Sequence, residues 1–133
     1  MTSHVPESFL DLLTREKKAL GFIGFVRNDG SPEVNPIWFD WDGQHVIINT
    51  RRGRVKDRVL RKRPTVALAI ADPDRPERYL EIRGRVVDET EDGAWEMICS
   101  LNEKYNGNRN FPKRQGEVRV TYKILPERYS SQG

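Results

Sequence analysis

The chain has 133 residues, 32% of them charged, a net charge of +3 and a single cysteine, Cys99. That size predicts one domain over residues 1–133 with a real core. One cysteine excludes an intrachain disulfide, and no apolar run reaches the roughly 18 residues of a membrane span. With no charged-then-apolar leader at the start, the expectation is a cytoplasmic protein with no membrane partner.

Residues 1–5 read as a loose terminus. Pro6 suits a first helical position, and Phe9, Leu10, Leu12 and Leu13 predict one face of a short helix ending near Lys18. Leu20 to Val26 predicts the first strand, closed by the turn Asn28-Asp29-Gly30. Ser31 to Trp41 predicts a second strand with Ile37, Phe39 and Trp41 on one face, although Pro32 and Pro36 argue against full pairing. Asp42-Gly43 is a hairpin signal, and Gln44 to Thr50 makes the third strand of a meander. On this reading the second strand lies beside Asn49 and Thr50.

A basic helix stopped by Pro64 follows. Thr65 to Ala71 predicts strand four, Asp72 to Arg78 a loop, and Tyr79 to Asp88 strand five with a bulge or corner at Gly84. Thr90 to Tyr105 predicts a second helix with Trp95, Ile98, Cys99 and Asn102 along one side. Cys99 is therefore a core residue. After a polar loop, Asn106 to Gly116, strand six runs from Glu117 to Leu125, with Arg119, Thr121 and Lys123 alternating against Val118, Val120 and Tyr122; a tail begins at Pro126. The sum is mainly β: a six-stranded antiparallel β-barrel with helices at its ends.

No G-x-G-x-x-G follows a strand and no P-loop is present. His4 and His45 stand too far apart to suggest a metal site, and neither a Ser-His-Asp order nor a carboxylate pair is legible. If the chain is an enzyme, a cofactor carries the chemistry. The one strong feature is Arg51 to Arg63, with eight basic residues against one acid. This local excess of seven positive charges leaves the other 120 residues with a net charge of −4. Arg61, Lys62 and Arg63 suit a solvated helix face. Arg52, Arg54 and Lys56 alternate around Gly53 between a strand and a helix, where side-chain cations and free N–H groups converge on an anion. The irregular backbone around Asn35, Pro36, Ile37 and Trp38, beside Asn49 and Thr50, suits a flat heterocycle, with Trp38 and Phe39 also available for packing.

The stretches DGSPEVNPIWFDWDG, VIINTRRGRVKDRVL and YLEIRGRVVD resemble the pyridoxamine 5′-phosphate oxidase-like split β-barrel proteins. Within them the likeness is to the branch that uses the deazaflavin coenzyme F420. That branch shows D-G-x-P-x-x-x-P-x-W-F, N-T-x-R-G-R-x-K-x-x-N-L and E-x-R-G-x-V, matched here at Asp29 to Phe39, Asn49 to Leu60 and Glu81 to Val86. The likeness covers roughly residues 15–125. Val59 departs from it, standing where the family has Asn.

The resemblance implies a split-barrel homodimer with cofactor sites at the interface and a small-molecule substrate. It implies that Arg54 and Lys56, with Arg52, hold the cofactor phosphate. The backbone at Pro36 to Trp38, with Asn35 and Thr50, would line the ring. Tyr79 falls where a residue is borrowed from the second subunit, and it is the candidate general acid. The expected activity is F420-dependent hydride transfer to a conjugated or electron-poor acceptor. The alternative is an FMN-dependent oxidase or flavin reductase. A basic nucleic-acid-binding module without catalysis is the reading from another class; the net-negative remainder and the lack of a nucleic-acid motif count against it, so no nucleic-acid partner is expected.

Overall fold

The computed structural model describes residues 2–133. Seven strands form one antiparallel sheet: β1 (Gly21–Val26), β2 (Pro32–Ile37), β3 (Asp40–Trp41), β4 (Val46–Arg51), β5 (Thr65–Ala71), β6 (Tyr79–Thr90) and β7 (Arg119–Gln132). Helix α1 (Val55–Lys62) follows β4, and α2 (Ala94–Asn106) lies between β6 and β7. The strand order is β2-β1-β5-β6-β7-β4-β3.

The expected count of six becomes seven because the predicted second strand breaks at Trp38 and Phe39. Its first part, β2, pairs only with β1, from Gly21↔Ile37 to Val26↔Pro32. Its second part, β3, pairs with β4 through Asp40↔Ile47 and Trp41↔Val46. The expected meander is therefore two hairpins, and β2 is not hydrogen-bonded to Asn49 or Thr50. Those residues pair with Thr121 and Val120 of β7. Yet β2 and β3 are opposite edges of the sheet, joined by two residues. Three Cα steps reach at most about 11 Å, so the sheet curls until its edges nearly meet. The result is a barrel split along the seam between β2 and β3. Pro32 and Pro36 sit on the edge strand, where a missing N–H is tolerated.

Inside the curl, Leu12, Ile23, Phe39, Ile48, Leu68, Leu80, Ile82 and Tyr122 are fully buried. Val59 is buried with them, so the departure from the family's Asn puts an apolar side chain in the core. Cys99 is buried, as its place on α2 predicts.

Gly84 marks the expected bulge. A Cβ built on it would overlap the Leu125 carbonyl, and the register with β7 shifts there, from Gly84↔Pro126 to Arg83↔Arg128. That shift explains why β7 does not end at Leu125. Pro126 falls at the bulge, where its missing N–H interrupts no ladder bond, and pairing resumes to Tyr79↔Gln132.

Two helices differ from expectation. The first is a 3₁₀ helix, Glu7–Leu13, with Pro6 as its N-cap rather than its first residue. It closes early because the Thr14 N–H and hydroxyl both bond the Asp11 carbonyl. Leu10 faces solvent while Phe9, Leu12 and Leu13 are buried. The second, α2, starts only after Gly93 at φ 71°, since Thr90 is the last residue of β6.

Candidate functional site

A cavity of about 390 Å³ opens at the seam. Pro36, Ile37 and Trp38 form one wall and Asn49 and Thr50 the other. Arg54 and Lys56 enter from the start of α1, Ile98 and Leu101 from α2, Phe111 from the following loop and Arg119 from β7. Seven residues singled out in the sequence thus meet in one pocket. Asn35, Arg52, Gly53 and Tyr79 do not line it.

The crossover wall is held from α2. Tyr105 stacks on Trp38 at 5.3 Å and 12°. Its hydroxyl donates to the Ala19 carbonyl (2.8 Å) and accepts from the Phe39 N–H (3.3 Å). Lys104, only 4% exposed, donates to the Phe39 carbonyl at 2.6 Å and lies 4.0 Å from the Phe39 ring centroid. Burial pulls its pKa down to about 8, with Asp40 opposing the shift. These bonds occupy the backbone groups that leave the ladder where the strand breaks. They also fix the Trp38 ring against the pocket.

The basic turn is built by Asp57. Gly53 at φ 90° reverses the chain after β4. The Asp57 carboxylate, 1% exposed, accepts from the Gly53 N–H (2.9 Å), from Arg52 Nη1 (3.0 Å) and from the Tyr122 hydroxyl. Burial alone would raise its pKa; the three donors hold it below the usual carboxylate range. Arg52 also donates to Glu89 (2.7 Å) and Glu91 (2.8 Å), which raise its pKa further. In this structure Arg52 and the Gly53 N–H are engaged with carboxylates rather than open to the pocket. Both are consumed in shaping the turn.

Arg54 and Lys56 are left. Neither forms an ion pair among the described residues: each of the seventeen ion pairs joins other groups. Burial first and Arg54 second lower the Lys56 pKa to about 8, offset in part by Glu33. An amine desolvated beside a guanidinium is a site short of negative charge.

Asn49 lines the pocket with its side chain already committed. Its Nδ2 donates to the Ala94 carbonyl (2.9 Å) and Thr121 Oγ1 (3.1 Å), and its Oδ1 accepts from Arg119 Nε (2.9 Å). Asn35 donates to Glu33 on β2 (2.9 Å). The Tyr79 hydroxyl meets Gln132 (3.3 Å) on the outer sheet face, away from the pocket of its own chain.

Arg119 is the charged lining residue that sequence reasoning missed, along with the apolar Leu20, Ile98, Leu101 and Phe111. Alternation along strand six gives Arg119 to solvent, but α2 and the Phe111 loop cover that part of the outer face. No local signal marks this, because the cover is remote in sequence.

The model of the family described as pyridoxamine 5′-phosphate oxidase matches residues 9–131. No curated protein matches the sequence. A solved structure named F420 Reductase is 38% identical, with 96% of this chain and 100% of that chain covered and a TM-score of 0.86. A conserved hypothetical protein of Mycobacterium tuberculosis is 21% identical, with 96% and 84% covered and a TM-score of 0.71. General Stress Protein 26 of Bacillus anthracis is 20% identical, with 92% and 93% covered and a TM-score of 0.64. The last two share the fold. With a family match across most of its length, this chain belongs to the pyridoxamine 5′-phosphate oxidase family and is an oxidoreductase of that fold.

Proposed function

We propose that the chain is an F420-dependent reductase acting on a small conjugated or electron-poor acceptor. The observation that carries this reading is the seam pocket: two uncompensated cations at one end and apolar walls of Trp38, Leu101 and Phe111 at the other. That donor set fits a planar ring system bearing a phosphate. The 38% identity to a protein named F420 Reductase favours the deazaflavin over FMN.

In this reading Arg54 and Lys56 bind the phosphate. The backbone of Pro36 to Trp38 and the Thr50 side lie along the ring. Trp38, Ile98, Leu101 and Phe111 exclude water and fix the approach of the acceptor. The bound cofactor supplies the hydride. Arg51 lines a second cleft, of about 480 Å³, that shares Arg54 with the pocket, which suits an anionic tail. Arg58 faces a different groove, on the far side of α1, together with Arg27, Arg61 and Lys62.

A homodimer belongs to the same proposal. Phe22, Val26 and Val34 are exposed on the outer face of β1 and β2, beside Gly24, Ala67 and Ala69. This small-residue apolar strip suits a second copy. Tyr79 lies on the same face, paired with Ala71, so it would reach a partner's pocket rather than its own.

FMN remains the second reading, because the same phosphate end serves it and the matching family is described as an oxidase. Parallel titration of the apo protein with F420 and FMN tests the choice. Tight F420 and weak FMN binding is expected, followed by acceptor-dependent oxidation of reduced F420 in a screen of enones. FMN binding without F420 binding would overturn the reading.

A further inference from the structure

Three cations line the seam pocket, and the third has not been assigned a ligand. Arg119 enters at the end held by Arg54, whose nearby charge works against that of Arg119. Its side chain is only 10% exposed. Nε donates to Asn49 Oδ1 at 2.9 Å and Nη1 to Glu117 Oε1 at 2.6 Å. The Phe111 ring centroid lies 5.3 Å from the guanidinium carbon. Nη2 has no protein acceptor among the described residues.

A guanidinium stays charged when buried. Burial and the nearby Arg51 and Arg54 all work against this charge, and Glu117 is the one carboxylate that offsets it. Two anchored nitrogens hold the fork in one orientation, which leaves its remaining donors preorganised. With Arg54 and Lys56, the pocket presents three positive charges, of which Glu117 pairs one and Glu33 partly offsets another. Arg52 is held by three carboxylates and does not line the pocket.

We infer that Arg119 binds, together with Arg54 and Lys56, the phosphate group of the cofactor, in the place that sequence pattern gives to Arg52. The inference rests on the proposed cofactor pocket. Asn49 and Glu117 are then positioning residues that act through Arg119.

The test uses two ligands that differ by one phosphate: 8-hydroxy-5-deazariboflavin and its 5′-phosphate. Their dissociation constants are measured by fluorescence on the full chain, and the ratio of the two is the readout. Because both ligands meet the same folded fraction, a partly unfolded variant leaves the ratio interpretable. The wild-type protein should prefer the phosphorylated ligand. Arg119→Gln should lower that preference by about tenfold or more, the size of one lost hydrogen bond to a charged group, with affinity for the phosphate-free ligand nearly unchanged. Arg119→Lys keeps the charge without the fork and should fall between. Wild-type preference retained in Arg119→Gln would overturn the assignment of Arg119 alone. No phosphate preference in the wild-type protein would overturn both this inference and the cofactor-pocket reading.

Discussion

Arg52 Nη1 lies 3.0 Å from Asp57 Oδ1, and this pair decides which cations of the basic segment are free. Asp57 draws Arg52 back toward Glu89 and Glu91 and caps the Gly53 N–H. The turn that results leaves Arg54 and Lys56 facing the seam.

Asp57→Asn should therefore destabilise the protein by about 2 kcal/mol, the cost of unmaking hydrogen bonds to a buried charge. Thermal unfolding in the two variants measures it. The sign with pH is fixed by the lowered folded-state pKa of Asp57. Its contribution is present above the unfolded carboxylate pKa and is lost as pH falls through the folded one. The gap between wild type and variant should close in acid.

Lys56 should make ligand binding pH-dependent. Its pKa of about 8 in the free protein means that the amine is half neutral near pH 8. An anion favours the charged form, so binding takes up protons near and above that pH, and affinity for a phosphate-bearing ligand falls as pH rises. Lys56→Met should weaken binding by about 1.5–3 kcal/mol at neutral pH and flatten the profile above pH 8. Calorimetric titration in buffers of different ionisation enthalpy reads both effects.

The two desolvated lysines also predict a rise in stability with alkalinity. Lys56 and Lys104 both have folded pKa values near 8, below the 10.5 of a free lysine. Between these values the unfolded chain holds more protons, so stability increases with pH. Above pH 10 the raised pKa values of Tyr105 and Tyr122 reverse the trend, because the unfolded chain then releases protons first. Lys104→Met should remove part of the rise between pH 8 and 10 in a series of melting curves.

At the bulge, Gly84→Ala should cost about 3 kcal/mol, near the top of the range for single substitutions. The new methyl meets backbone, the Leu125 carbonyl, which cannot rotate away. Denaturant titration would show it.

The outer strip gives a prediction about assembly. Ala67→Arg places a charge beside Gly24 and Arg83 in the middle of that face. Sedimentation should show a dimer for the wild-type protein and a monomer for the variant.

Much of this was legible in local pattern. The limits of β5, the kink at Gly84 and the freedom of Arg54 and Lys56 follow from residues close in sequence. What was not legible depends on distant partners. Ile37, Phe39 and Trp41 keep their alternation straight across the break at Trp38 and Phe39, so periodicity reads one strand. The break is stabilised by Lys104 and Tyr105, some 65 positions away. Arg52 alternates with Arg54 and Lys56 as if equivalent, and Asp57 together with the distant Glu89 and Glu91 separates it from them. Arg119 reads as solvent-facing until α2 is laid over β7. Pro126 reads as a stop because nothing local shows that it falls opposite Gly84.

The most direct test is the affinity of the apo protein for F420 and FMN, measured side by side with wild type and Lys56→Met. A chain that uses the seam pocket for the deazaflavin binds F420 more tightly than FMN and loses that affinity with Lys56. Binding of FMN alone, or F420 binding untouched by Lys56→Met, would contradict it.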